Sequence, residues 1–261
     1  MSFVRSLYKL ICVVTLLLAA VADWWVRRPR VGAEGAVWIH GWCRRIVKVV
    51  GVGWSVVGEL PASGAVVSNH LSYLDVLLYS AVRPFVMVAK SEVRGWPLVG
   101  WLTLRAGTVY VTRGGGRSTY PGVNAAMGEA YRSGLPVLFF PEGTTTDGSE
   151  VLPFRRGLFH SVLNERVSLR VAALRYSLED AEGSVEEDVC WWGDALLAPH
   201  LWRLLGLKGV RAEICFGAEV TERTDRFVLS ETARARVIEM LESPKISAVV
   251  ATEVTTETVF V

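Results

Sequence analysis

The chain has 261 residues, of which 51% are hydrophobic and 21% charged, and its mean hydropathy is +0.33. That length suffices for one large α/β core, while the charged fraction is too high for a polytopic membrane bundle and the hydrophobic fraction high for a freely soluble protein. Lys and Arg number 28 against 26 acidic residues, so the net charge of +2 gives no basis for a nucleic-acid partner.

Four widely spaced cysteines, Cys12, Cys43, Cys190 and Cys215, include no CxxC pair and predict neither a zinc site nor a disulfide framework. Leu10 to Ala22 is apolar apart from Thr15, and it follows Arg5 and Lys9. Ala20-Val21-Ala22 has the form of a signal-peptide cleavage site. Trp24 and Trp25 carry the apolar character past Asp23, beside Arg27, Arg28 and Arg30, as at a membrane interface. The expectation is an uncleaved helix in or just across the cytoplasmic leaflet, with a cleaved signal as the alternative.

Trp38, Trp42, Ile46, Val49 and Val50 recur at helical spacing opposite Arg44, Arg45 and Lys48, which predicts a second helix over Ala36–Val57. A basic amphipathic helix of this kind lies flat on a bilayer, and the basic cluster suits anionic headgroups; packing in a core is the other reading. Pro61, Ser63 and Gly64 punctuate the chain before the main domain. Short apolar runs at 65–67, 85–89, 108–112, 136–140, 171–176 and 211–217 predict strands, with helices after Val76 and around Gly122–Arg132. Alternation of this kind implies a mainly parallel α/β sheet flanked by helices, whose ligands sit at the carboxyl ends of the strands. Ser230 is expected to cap a last helix reaching about Leu241.

Two segments carry residues suited to chemistry. In NHLSYLD, residues 69–75, a histidine follows a strand and an aspartate stands five positions on. A continuous helix would place His70 and Asp75 about 140° apart, so they meet only where a loop enters a helix. Asn69 and Ser72 favour such a loop. A carboxylate on one ring nitrogen then leaves the other free to take a proton from a hydroxyl. Ser72 and Asp75 also have capping-box spacing, which makes Asp75 structural on the competing reading. In FPEGTTTDG, residues 140–148, a turn with a glycine, a carboxylate and three threonines follows the most apolar strand. Its backbone donors and hydroxyls suit an anionic or polyhydroxy headgroup, and a plain surface turn is the alternative.

NHLSYLD, GTVYVTR at 107–113, FPEGT and VAALRY at 171–176 resemble, in order, the four sequence blocks of the glycerophospholipid acyltransferase family. The resemblance covers Gly58 to Val220 and implies the family's glycerol-3-phosphate acyltransferase-like fold; with the patterns above, the chain divides into a membrane anchor and amphipathic helix at 1–57, an acyltransferase domain at 58–245 and a tail at 246–261. The resemblance implies His70 as general base, Asp75 as its orienter, and Arg113, Glu142, Gly143, Thr144 and Thr145 on the acceptor side. The implied reaction moves a fatty acyl group from acyl-CoA or acyl carrier protein to a lysolipid hydroxyl at the cytoplasmic face of the cell membrane. Neither metal nor redox cofactor is implied. Phosphatidic-acid-forming members usually place an arginine where Thr145 stands and a proline where Val171 stands. The longer run with LPFRRGLF at 152–159 and WWGD at 191–194 resembles bacterial members that acylate lyso-ornithine lipid, and Arg155 or Arg156 is a candidate substitute cation. A serine hydrolase would need a GxSxG elbow, which the chain lacks, and a catalytically inert lipid-binding protein of the same fold is the alternative from another class.

Overall fold

A computed structural model describes residues 2–112, 120–179 and 183–243. The N-terminal apolar run forms α1, Phe3–Arg27, which ends at Arg28 in the left-handed conformation; α2 follows as Ala33–Val50. The helix expected over Ala36–Val57 therefore stops seven residues early. Gly51 closes it with a positive φ of 85°, a conformation that would strain a residue carrying a side chain, and Val52–Val57 becomes strand β1. Valines and a tryptophan in that segment suit a pleated, half-buried strand better than a helix. The boundary drawn after residue 57 thus falls immediately behind a strand of the central sheet.

The remaining elements alternate strand with helix, with α4, α6 and α7 beyond those anticipated: β2 (Ala65–Ser68), α3 (Tyr73–Val82), β3 (Val86–Lys90), α4 (Val99–Arg105), β4 (Val109–Val111), α5 (Tyr120–Arg132), β5 (Val137–Phe139), α6 (Phe159–Asn164), β6 (Leu169–Leu178), α7 (Leu197–Gly206), β7 (Val210–Glu219) and α8 (Arg226–Glu242). The seven strands lie in the order β1-β7-β6-β2-β5-β3-β4. Every adjacent pair is parallel except β6 and β7. The last helix starts earlier than expected, because Asp225 rather than Ser230 caps it, accepting hydrogen bonds from the Phe227 and Val228 amides. Ser230 is buried inside α8 and donates back to the Phe227 carbonyl.

Two apolar layers cover the sheet. On one side Leu74 and Leu78 of α3 pack with Ile46 and Val47 of α2 and with Leu174 and Ile214 of the sheet, all buried. On the other, Met127, Phe159, Leu229 and Val237 of α5, α6 and α8 meet Val137, Phe139 and Leu169. Each such fully buried side chain contributes about 1.5–3 kcal/mol through removal of apolar surface from water. The inward face of α2, with Trp38, Cys43, Ile46 and Val47 buried, is thus covered by protein. That is the core-packing role, and it corrects the expectation that this face rests on a bilayer. All four cysteines are free.

Candidate active site

β2 and β5 are parallel neighbours, with Val67 opposite Phe139, so their carboxyl ends release two loops side by side. One is 69–72 and the other begins at Phe140. β6, on the other flank of β2, pairs Ala172 with Ser68 and then runs on to Leu178, beyond the end of its short neighbour. The overhang supports the first loop. Asn69 continues the ladder with its side chain, donating to the Leu174 carbonyl at 2.9 Å and accepting from the Leu174 amide at 2.8 Å.

His70 Nδ1 lies 2.8 Å from Asp75 Oδ2. A carboxylate only accepts, so Nδ1 donates, and Nε2 presents its lone pair. No described residue bonds Nε2, and the ring retains 18% exposure while Asp75 has none. Phe140 stacks on the imidazole at 4.0 Å with planes 10° apart, fixing the ring's other degree of freedom. Asp75 makes the contacts that both readings of it require. Its Oδ2 also accepts from the Leu71 amide at 2.7 Å and the Ser72 amide at 3.0 Å, the carboxylate half of a capping box at the third position of α3. Its Oδ1 accepts from the Tyr176 hydroxyl at 2.8 Å.

The second loop clamps the first. Glu142 is buried, and its Oε1 accepts from the His70 amide at 2.7 Å while Oε2 accepts from the Leu152 amide at 2.8 Å. Burial pushes its carboxyl up to about 7, against the pull of those two amides; the Asp75 charge adds to the rise and Arg234 opposes it. The Thr146 amide donates to the His70 carbonyl at 3.0 Å, so loop 140–146 holds His70 from both backbone sides. Gly143 turns the loop with φ of 73°, and a side-chain carbon there would come within 2.7 Å of Arg155 Nε. The Arg155 amide donates to the Pro141 carbonyl at 2.8 Å. Arg156 points elsewhere, pairing with Glu231 at 3.6 Å and lying over the Phe227 ring.

Of the acceptor-side residues expected from sequence, Gly143, exposed Thr144 and half-buried Thr145 lie on the loop beside His70. Glu142 faces inward with both oxygens engaged, and Arg113 lies outside the described residues. Trp191 of the WWGD run reaches the site, its amide donating to the Leu71 carbonyl at 2.8 Å and its ring meeting Tyr73 and Trp96 edge-on. Tyr176 was not anticipated. Its one signal was a hydroxyl at the end of the strand expected over 171–176, beside Arg175. A separate apolar cavity of about 90 Å³ lies between α1, α2, α3, α4 and β3, lined by Leu17, Ile39, Val76, Leu77, Phe85 and Met87 among others.

A histidine bonded to a buried aspartate at the strand ends of an α/β sheet, closed by a glutamate–glycine loop, is an arrangement suited to acyl transfer, and the acyltransferase family model matches residues 59–172. The chain belongs to this acyltransferase family and is an O-acyltransferase. It is 34% identical over 175 residues to the 1-acyl-sn-glycerol-3-phosphate acyltransferase of Neisseria meningitidis, covering 66% of this chain and 67% of that one. With the lyso-ornithine lipid O-acyltransferase of Brucella abortus it shares 33% identity over 227 residues, covering 78% and 84%. The crystal structure of the 1-acyl-sn-glycerophosphate acyltransferase of Thermotoga maritima superposes with a TM-score of 0.64 at 16% identity, over 92% of this chain and 96% of that one, and shows the same fold.

Proposed function

We propose that the protein is a membrane-bound enzyme that moves a fatty acyl group from a thioester, acyl-CoA or acyl carrier protein, to the hydroxyl of a lysolipid during membrane lipid synthesis. The 2.8 Å contact between His70 Nδ1 and Asp75 Oδ2, with Nε2 open, carries this reading. His70 Nε2 takes the proton as the acceptor oxygen attacks the thioester carbonyl; the carbon–sulfur bond then breaks, and the proton passes to the departing thiolate. A thioester is already activated, so the reaction needs no acyl-enzyme. Relatives named for both lysophosphatidic acid and lyso-ornithine lipid acylation support a lysolipid acceptor.

Gly143, Thr144 and Thr145 border the acceptor side, with Arg155 as its cation and Arg113 as a further contributor. Glu142 serves the acceptor site indirectly, by holding the loops that form it. The 90 Å³ cavity, against the side of α3 that carries Val76 and Leu77, has the apolar lining an alkyl chain requires. The active site works at the cytoplasmic face, where thioester donors are made.

Purified membranes carrying His70→Ala, given a lysolipid and a labelled thioester, should show turnover reduced by about 10²-fold to 10⁴-fold. Normal turnover by folded His70→Ala protein would refute the assignment.

A further inference from the structure

Asp75 is wholly buried, and its two oxygens are unequally supplied. Three donors converge on Oδ2, namely His70 Nδ1 and the Leu71 and Ser72 amides. Oδ1 receives one donor among the described residues, the Tyr176 hydroxyl at 2.8 Å. The first three come from within five residues of Asp75 in the chain, so they move with its own loop. Tyr176 comes from β6, 101 residues away, and is the one that ties the carboxylate to the sheet.

Three features fit that bond to orientation rather than to packing alone. The β6 backbone around Tyr176 is fixed by the antiparallel ladder to β7, where Tyr176 stands opposite Ala212. Two residues earlier on the same strand, Leu174 grips Asn69 through both of its backbone polar groups, so β6 holds the 69–75 loop at two points two residues apart. A carboxylate with a donor on each oxygen has its plane set, whereas one held at Oδ2 alone is free to rock about its last torsion and carry the His70 bond off line. Burial, reinforced by the Asp75 charge, holds the phenol well above its ordinary range, so it remains a donor under all working conditions.

We infer that Tyr176 is a positioning residue for acyl transfer, acting through Asp75 to hold the His70 ring with Nδ1 protonated and Nε2 aimed outward. This rests on the His70 assignment above. The hydroxyl also draws charge from the carboxylate, and a carboxylate with less charge stabilises the imidazolium less. Glu142, Tyr79 and Cys190 also feel the Asp75 charge, and Tyr79 and Cys190 act on the Tyr176 hydroxyl as well.

The test is a graded series at position 176 in full-length protein: Tyr176→Phe, wild type, and 3-fluorotyrosine, a stronger donor of the same shape. Tyr176→Phe should lower kcat by about 10-fold, the worth of a hydrogen bond to a charged group, while KM for both substrates stays within about twofold. Without using turnover, the pH midpoint for modification of His70 by diethyl pyrocarbonate, followed on its own peptide by mass spectrometry, should rise in Tyr176→Phe and fall with 3-fluorotyrosine. Unchanged kcat and an unchanged midpoint across the series would overturn the inference. So would a loss of melting temperature with both readouts unmoved, which is the mark of a packing role. The fluorotyrosine protein keeps ring and hydroxyl, so it decides the matter even if the Phe variant does not fold. Because the midpoint is read without substrate, it stands apart from any failure of the lysolipid reading.

Discussion

Glu142 shows how one side chain couples the loops that make the site. Two amide donors meet its two oxygens, an arrangement that only the carboxylate satisfies fully, since a protonated carboxyl would turn its O–H toward one of them. Burial nevertheless raises the group from 4.5 to about 7. Between those values the native chain holds a proton that the unfolded chain has released, so this residue's effect on stability declines as pH rises through that window and is level above it. Glu142→Gln removes the titration and offers one acceptor oxygen to two donors. The variant should therefore be less active, and the difference between its melting temperatures at about pH 5 and about pH 8 should shift relative to wild type, toward greater relative stability at the higher pH. Calorimetry at the two pH values checks this, and an identical pH dependence in the two proteins would show that Glu142 does not titrate in the window.

At the scale of elements, the proposed function makes the loop over 140–156 the part that sets acceptor preference. Arg155 crosses Gly143 and meets no carboxylate among the described residues, whereas Arg156 is held by Glu231 and Phe227. A guanidinium grips phosphate or carboxylate bidentately, while the Thr145 hydroxyl offers one uncharged donor. Arg155→Ala should raise KM for an anionic lysolipid by about 10-fold or more, and Arg156→Ala should leave it unchanged. Thr145→Arg should raise kcat/KM on lysophosphatidic acid relative to lyso-ornithine lipid. Equal KM values for the two alanine variants would remove Arg155 from the acceptor site. Much of this arrangement was legible in the chain: strand ends bounded by His70 and by Phe140 placed both loops, because short apolar runs between turn residues mark parallel strands. The bond from Tyr176 to Asp75 was not, since it spans 101 residues and depends on β6 outrunning β2. The end of α2 was misplaced because its apolar spacing continues through Val56 and Val57, where a glycine at 51 had already reversed the backbone. α4 and α6, at seven and six residues, are too short for a helical period to show, whereas α7 is amphipathic and its spacing was there to be read.

For the whole molecule the decisive feature is how α1 is tied down. It has 25 residues, about 38 Å at 1.5 Å per residue, which is long enough to span a bilayer. Yet both of its ends are fastened to the same body. Near the start, Phe3 meets Trp202, Arg5 donates to the Gly206 carbonyl, and Lys9 donates to the carbonyls of Val50 and Leu207. Near the end, Asp23 accepts from the indoles of Trp38 and Trp42, and Trp24 packs on Trp101 under the Arg105 guanidinium. Its outward face is left with exposed Phe3, Leu7, Ile11, Val14 and Leu18 in one stripe. A helix held at both ends against one globular body cannot cross a membrane without pulling that body in, so the proposed membrane association would place the stripe in a single leaflet, with Arg27, Arg28 and Arg30 at headgroup level. The expected outcome is that single cysteines at positions 2 and 28, in a protein otherwise stripped of thiols, both react with a membrane-impermeant reagent from the cytoplasmic side of sealed vesicles. Labelling of position 2 only from the opposite side would make α1 a span and would require its contacts with α7 to break in the membrane.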